Sequence, residues 1–183
     1  MPVLPNFAIQ SQGNAGNLCW ACVGMGIATF YDTLSGQSPR WEQLCQYVMA
    51  VFDAHDGTSP ASLLCCDPGR LTQPMCNQPF WLPDALAVTK NQANVVDAPL
   101  DFVEVKKQID LQCPVGIEIE TSVGFHVIVI SGYDEADGQK VLVADPAPDA
   151  LGNSLVDYNE LLNDYRHAGG QWTQSYLSVP TQP

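Results

Sequence analysis

The sequence predicts an α+β fold in which a helical first half is followed by an antiparallel sheet. Apolar residues recur at helical spacing from Trp20 to Leu34, whereas β-branched runs with a period of two begin at Pro114. With 46% apolar and 15% charged residues, the chain has the makings of a sizeable core and carries fewer charges than the ~25% of an average soluble protein. A single domain over residues 1–183 is expected, its helical part about 1–112 and its sheet part about 113–183.

After an irregular start with Pro2 and Pro5, the stretch SQGNAGN from Ser11 to Asn17 reads as a turn-rich loop. Trp20, Val23, Ile27, Phe30, Tyr31 and Leu34 then fall on a helix that begins near Cys19, with Asn17 as its cap and Ser35-Gly36 as its end. Gly24 and Gly26 leave it open to close approach by another element. A second helix is expected from Trp41 to Phe52. From Asp53 to Pro83 the residues Pro, Gly, Ser and Asp dominate, which predicts mostly loop with one helical turn around Ala61 to Cys65. A short helix follows over Pro83 to Lys90, with proline in its first turn. Asp101 is placed to cap another that runs to Leu111 with Phe102, Val105 and Ile109 inward.

Three strands come next, VGIEIE, FHVIVISGYD and KVLVAD, separated by glycine-containing turns. Asp157 with Glu160 forms a capping box before a helix over Tyr158 to Tyr165, and Trp172 to Val179 makes a last strand.

The charge balance excludes several functions. Seven Lys and Arg against 20 Asp and Glu leave a net charge of −13, so neither nucleic acid nor an anionic membrane is an expected partner. The first basic residue is Arg40, and no apolar run approaches a membrane span, which predicts a soluble chain without a Sec signal.

Candidate chemistry emerges from the cysteines and histidines. Seven cysteines leave at least one thiol unbridged. His55, in FDAHDG, and His167, in DYRHAGG, read as solvated surface residues, whereas His126 sits inside a strand. Pairing Tyr133 with Gly138 across a four-residue loop aligns Asp145 directly opposite His126, where a carboxylate fixes the ring's tautomer and stabilises its protonated form. The simpler readings are a hydrogen-bonded core histidine and, for Asp145 before Pro146, a turn that ends the strand.

Cys19 opens a helix, and there the unpaired N–H groups and the helix dipole favour a thiolate. Cys22 lies one turn inside and packs, Cys45 belongs to the second helix, and Cys113 precedes a proline. The alternative for Cys19 is a buried structural thiol. Cys19-Trp20-Ala21-Cys22 also has the C-x-x-C spacing of a dithiol oxidoreductase, but no strand precedes it. A zinc site at Cys65, Cys66 and Cys76 lacks the usual paired spacing. Two disulfides among Cys45, Cys65, Cys66 and Cys76 are expected in an oxidising compartment.

The segments QSQGNAGNLCWACVGMGIATFYDTL, GFHVIVISGYD and VLVADP together resemble a papain-like cysteine peptidase. More narrowly, they are similar to the compact bacterial papain-like group that includes cysteine-protease effectors of plant pathogens and is related to bacteriocin-processing peptidases. QLCQYV, LLCCDPG, MCNQP and the terminal GGQWTQSYLS extend the resemblance over most of the chain. It implies a helical lobe that carries the nucleophile and a sheet lobe that carries base and orienter. By position, Cys19 is then the nucleophile, His126 the general base and acid, and Asp145 the third member.

Gln12 would supply the side-chain donor of the oxyanion hole beside the Cys19 N–H. The family's glutamine usually stands six residues before the cysteine, where this chain has Gly13, so the loop must bulge by one residue for Gln12 to serve, and Gln10 is the other candidate. The implied activity is hydrolysis of peptide bonds in a protein or peptide substrate, without metal or organic cofactor. The implied setting is a bacterial effector or toxin, cytoplasmic or exported by a Sec-independent route, with a cognate inhibitor or immunity protein as partner. An amidase, deamidase or transglutaminase-like enzyme would use the same triad, and a non-catalytic binding module of the same fold is the third possibility.

Overall fold

The computed structural model describes residues 1–57, 64–150 and 152–181. Along the chain it has α1 (Cys19–Leu34), α2 (Leu44–Asp56), α3 (Leu82–Val88), β1 (Gln92–Val96), α4 (Phe102–Asp110), β2 (Val115–Thr121), β3 (Gly124–Asp134), β4 (Lys140–Asp145), β5 (Gly152–Asp157), α5 (Tyr158–Asn163) and β6 (Gln171–Ser178). The six strands form one antiparallel sheet in the order β1-β6-β2-β3-β4-β5. This is an α+β, papain-like arrangement, as the sequence predicts.

Helix α1 is almost wholly buried because it serves two cores. Val23, Ile27, Phe30 and Tyr31 pack with β2 and β3 residues such as Ile117, Ile128 and Ile130. Trp20, Ala21, Cys22 and Met25 pack with Tyr47, Val48 and Val51 of α2 and Ala85 of α3. Complete burial of a side chain such as Val23 or Ile27 stabilises by about 1.5–3 kcal/mol. The close approaches expected at the two glycines are present. A Cβ on Gly24 would run into the Tyr47 hydroxyl, and one on Gly26 would lie 2.6 Å from the Ile9 side chain.

Several boundaries differ from expectation. The N-cap of α1 is Leu18, without a side-chain bond, and Asn17 donates instead to the Asn77 carbonyl (3.1 Å). Helix α2 starts three residues later than the sequence suggests and continues to Asp56, inside the segment read as loop. The helical turn expected around Ala61 to Cys65 lies largely outside the described residues. Asp101 caps α4 as expected, its carboxylate accepting from the Glu104 N–H at 2.7 Å, with Phe102, Val105 and Ile109 buried. Asp157 likewise caps α5, which ends at Asn163.

Strands β1 and β5 were not expected. They are the two edges of the sheet, and their side chains are mostly exposed, so neither carries the apolar alternation that marks the inner strands.

The β3–β4 register also departs from the expected one. Residues 135–139 form the turn, so that Tyr133 pairs with Val141 and not with Gly138. A β-bulge at Ser131 then shifts the ladder, and beyond it Ile130 pairs with Val143 and Val129 with Ala144. The N-terminal residues fasten this bulge. Leu4 N–H donates to the Ser131 carbonyl (2.8 Å), Tyr133 N–H donates to the Pro2 carbonyl (3.0 Å), and Val3 forms a bridge with Gly132, where a Cβ would lie 2.9 Å from both Pro2 O and Val3 Cγ1.

Candidate active site

The bulge decides what faces what. Had the register at the turn continued unbroken, Asp145 would pair with Val129 and point to the face opposite His126. The extra residue at Ser131 returns Asp145 to the His126 face, two positions along the ladder instead of directly opposite. His126 Nε2 and Asp145 Oδ1 meet across that diagonal at 2.7 Å. The expected partnership holds, by a different register.

Asp145 is 2% exposed and its oxygens are well occupied. Oδ1 also accepts from the Ala147 N–H (2.9 Å), and Oδ2 accepts from the Tyr165 hydroxyl (2.9 Å), with Arg166 Nη1 at 3.9 Å. Burial alone would raise the carboxyl's pKa. The bond and charge of His126, together with the Ala147 and Tyr165 donors, hold it below the usual carboxylate value.

For His126, burial alone would lower the pKa. The hydrogen bonds to Asp145 and to the Cys19 side chain, and the charges on both, outweigh it and raise the value to about 9. With Nε2 bonded to Asp145, Nδ1 is the ring nitrogen that this bond leaves over.

Cys19 is the first residue of α1 and lines a cavity of about 410 Å³. Leu18 provides no side-chain cap, and of the helix's first N–H groups that of Ala21 donates to the Leu18 carbonyl (3.0 Å). Cys22, one turn on, is fully buried. Burial and the nearby Cys19 push its thiol's pKa strongly up, which keeps it protonated and inert. Cys113 is a third free thiol, and it donates to the Leu111 carbonyl at 3.6 Å.

The loop before Cys19 is pinned from two sides. Gln12 N–H donates to the Pro146 carbonyl (3.0 Å), which joins the loop to the residue after Asp145. Asn17 N–H donates to Asn77 Oδ1 (2.9 Å), and Trp20 Nε1–H donates to the Gln78 carbonyl (2.9 Å). The segment carrying Asn77 and Gln78 is in turn stapled by the disulfides Cys45–Cys66 and Cys65–Cys76, the four cysteines expected to bridge.

Gln12 and Gln10 separate cleanly. Gln12 lines the cavity of about 720 Å³ that His126 also lines, and its Nε2 makes one long bond, to the Gly16 carbonyl (3.4 Å), while its Oε1 is buried without a partner. Gln10 Nε2 donates to the Glu42 carbonyl (3.2 Å), and Gln10 lines other cavities. Gly13 adopts φ 55°, in the left-handed region that glycine enters without strain.

His55 packs edge-on against Phe80 and lies 3.9 Å from Asp84, and the exposed His167 lies 3.5 Å from Asp164; neither lines the cavities beside Cys19. Tyr165 is the contributor that the sequence reading did not single out as a site residue. It is distant in sequence from both His126 and Asp145, and no local motif marks it.

The profile of the family described as "Peptidase_C39 like family" matches residues 77–173, just over half of the chain. The match contains His126, Asp145 and Tyr165 and ends before Ser175; Gln12 and Cys19 precede it. No curated protein matches the chain.

Proposed function

Because the chain belongs to the Peptidase C39-like family, and so to the cysteine peptidases in general class, we propose that it hydrolyses peptide bonds with Cys19 as nucleophile, His126 as acid and base, and Asp145 as orienter. The observation that carries the reading is the 2.7 Å bond from His126 Nε2 to a buried Asp145 whose other contacts are all donors. That bond leaves Nδ1 for the thiol at the head of α1.

Before attack the proton of the pair rests on His126 Nδ1, and the Cys19 sulfur attacks the scissile carbonyl carbon as the thiolate. The Cys19 N–H and the second hydrogen on Gln12 Nε2 receive the oxyanion. Collapse of the tetrahedral species breaks the C–N bond, and the imidazolium proton leaves with the amine. Water then enters, gives a proton back to His126, and its oxygen releases the acyl group from sulfur. Asp145 stays ionised throughout and keeps the ring oriented.

The setting is an exported effector or toxin-type protease. Two disulfides support an oxidising place of action. Among the described residues, no helix is long and apolar enough to cross a membrane.

Mass spectrometry of a protein mixture incubated with the chain tests the reaction class. New peptide termini that depend on Cys19 are the expected result. Mass increases of about 1 Da without new termini would identify side-chain deamidation instead and overturn the peptidase reading.

A further inference from the structure

Two cavities flank the His126–Cys19 pair, and they differ in charge. The larger one contains Asp149 and Arg166, which pair with each other at 2.6 Å, so its charges are compensated. The smaller, on the Cys19 side, contains a single charged side chain, Glu118, between Phe80, Trp81, Phe125 and Val127.

Glu118 brings a carboxylate to an otherwise largely apolar wall of this cavity. It sits in the middle of β2, flanked by Ile117 and Ile119, which are 0% and 1% exposed, and it pairs with Val127 of β3 and Gln174 of β6. Ile117 and Ile119 point to the opposite face of the strand, and Glu118, half-buried, turns its carboxylate to the cavity side. Its Oε2 accepts from the Tyr176 hydroxyl (2.9 Å) and its Oε1 from the Thr173 hydroxyl (3.4 Å), which fixes its orientation and leaves acceptor positions over. Among the described residues it has no cationic partner.

The walls suit a cation as well. Phe125 and Trp81 are 64% and 49% exposed, so each presents ring surface beside the cavity, and aromatic faces attract a guanidinium or ammonium group. The net charge of −13 draws cationic peptides toward the molecule as a whole.

We propose that the cavity between Cys19 and Glu118 is a specificity pocket for an arginine or lysine side chain of the substrate, next to the scissile bond. Glu118 pairs with the cationic head, and Phe125 and Trp81 cover the aliphatic stem. This rests on the peptidase reading for its place in the reaction. The binding itself does not.

Fluorescence polarisation on the Cys19→Ala protein measures binding without turnover, with a labelled, alanine-rich peptide carrying one central arginine and the same peptide carrying citrulline, which is neutral and nearly isosteric. The arginine peptide should bind about tenfold more tightly, and Glu118→Gln, which keeps the shape and an acceptor, should bring the two within about twofold. Phe125→Ala, at an exposed position, should weaken the arginine peptide severalfold without affecting folding. Equal binding of the two peptides, or a preference that survives Glu118→Gln, overturns the pocket. In parallel, the wild-type chain is given a peptide pool and its products sequenced. Arginine or lysine enriched at one position near the cut supports the proposal, and cleavage without that enrichment overturns it. Discrimination in binding with no cleavage of any peptide leaves the pocket standing and overturns the peptidase reading.

Discussion

Asp145 reaches His126 along a diagonal of the β3–β4 ladder, and the bulge at Ser131 is the reason the two share a face. The bulge is not a local accident. Pro2, Val3 and Leu4 bond to residues 131–133 of β3, so the N-terminal segment of the chain fixes the register on which the histidine–carboxylate pair depends.

Tyr165 is expected to act as a positioning residue. Its hydroxyl donates to Asp145 Oδ2, so Tyr165→Phe frees one oxygen of a buried carboxylate and costs about 1–2 kcal/mol of stability. Steady-state kinetics should show kcat lowered by roughly tenfold with KM nearly unchanged, since the ring contacts remain and only the orientation of Asp145 loosens. An unchanged kcat would remove Tyr165 from the account.

The pH dependence follows from the same pair. His126 is raised from 6.5 to about 9, so the stability it contributes is complete below pH 6.5 and is lost as pH rises through about 9. Asp145 is lowered, so its contribution is present above its ordinary value of 3.8 and is lost as pH falls through its lower native value. Activity should therefore decline on the alkaline side near pH 9, and Asp145→Asn should move that limb downward. A limb that stays in place in the Asp145→Asn protein would show that another group titrates there.

Gln12→Ala should lower kcat by roughly 10²–10³ while KM changes little, because its amide serves charge that develops only in the transition state. Gln10→Ala should be mild, its side chain being committed to the Glu42 carbonyl. Near-normal kcat in Gln12→Ala would leave the oxyanion to backbone donors alone.

The disulfides give a count. Titration of the oxidised, unfolded protein should find three thiols, those of Cys19, Cys22 and Cys113. Closing loops with sequence separations of 21 and 11 stabilises by about 3 kcal/mol each, so reductant should lower the melting temperature. Seven thiols would mean that the staples do not form.

The inner elements were legible in the sequence because burial on a regular face leaves a period, as in α1, α4, β2, β3 and β4. The edge strands β1 and β5 were not, since exposure erases the alternation. Cys19, His126 and Asp145 could be singled out from a helix start, a strand histidine and an aspartate at a strand end. The register that joins the last two could not, because nothing in ISGYDEADGQKVLV announces a bulge at Ser131. The expected pairing with Gly138 missed both the longer turn and the bulge, and it kept the correct face only because the two errors left the offset even. Gln12 and Gln10 were both legible as candidates, but their different surroundings, the His126 cavity for Gln12 and the Glu42 carbonyl for Gln10, were not.

The central claim is that the Cys19 sulfur performs the chemistry, and the two thiols of the first helical turn test it most directly. Turnover and melting temperature should be measured for Cys19→Ala and Cys22→Ala side by side. The account predicts that Cys19→Ala is folded and inactive, whereas Cys22→Ala keeps activity and loses only stability, because its thiol is buried and protonated. An active Cys19→Ala protein beside an inactive, folded Cys22→Ala protein would contradict it.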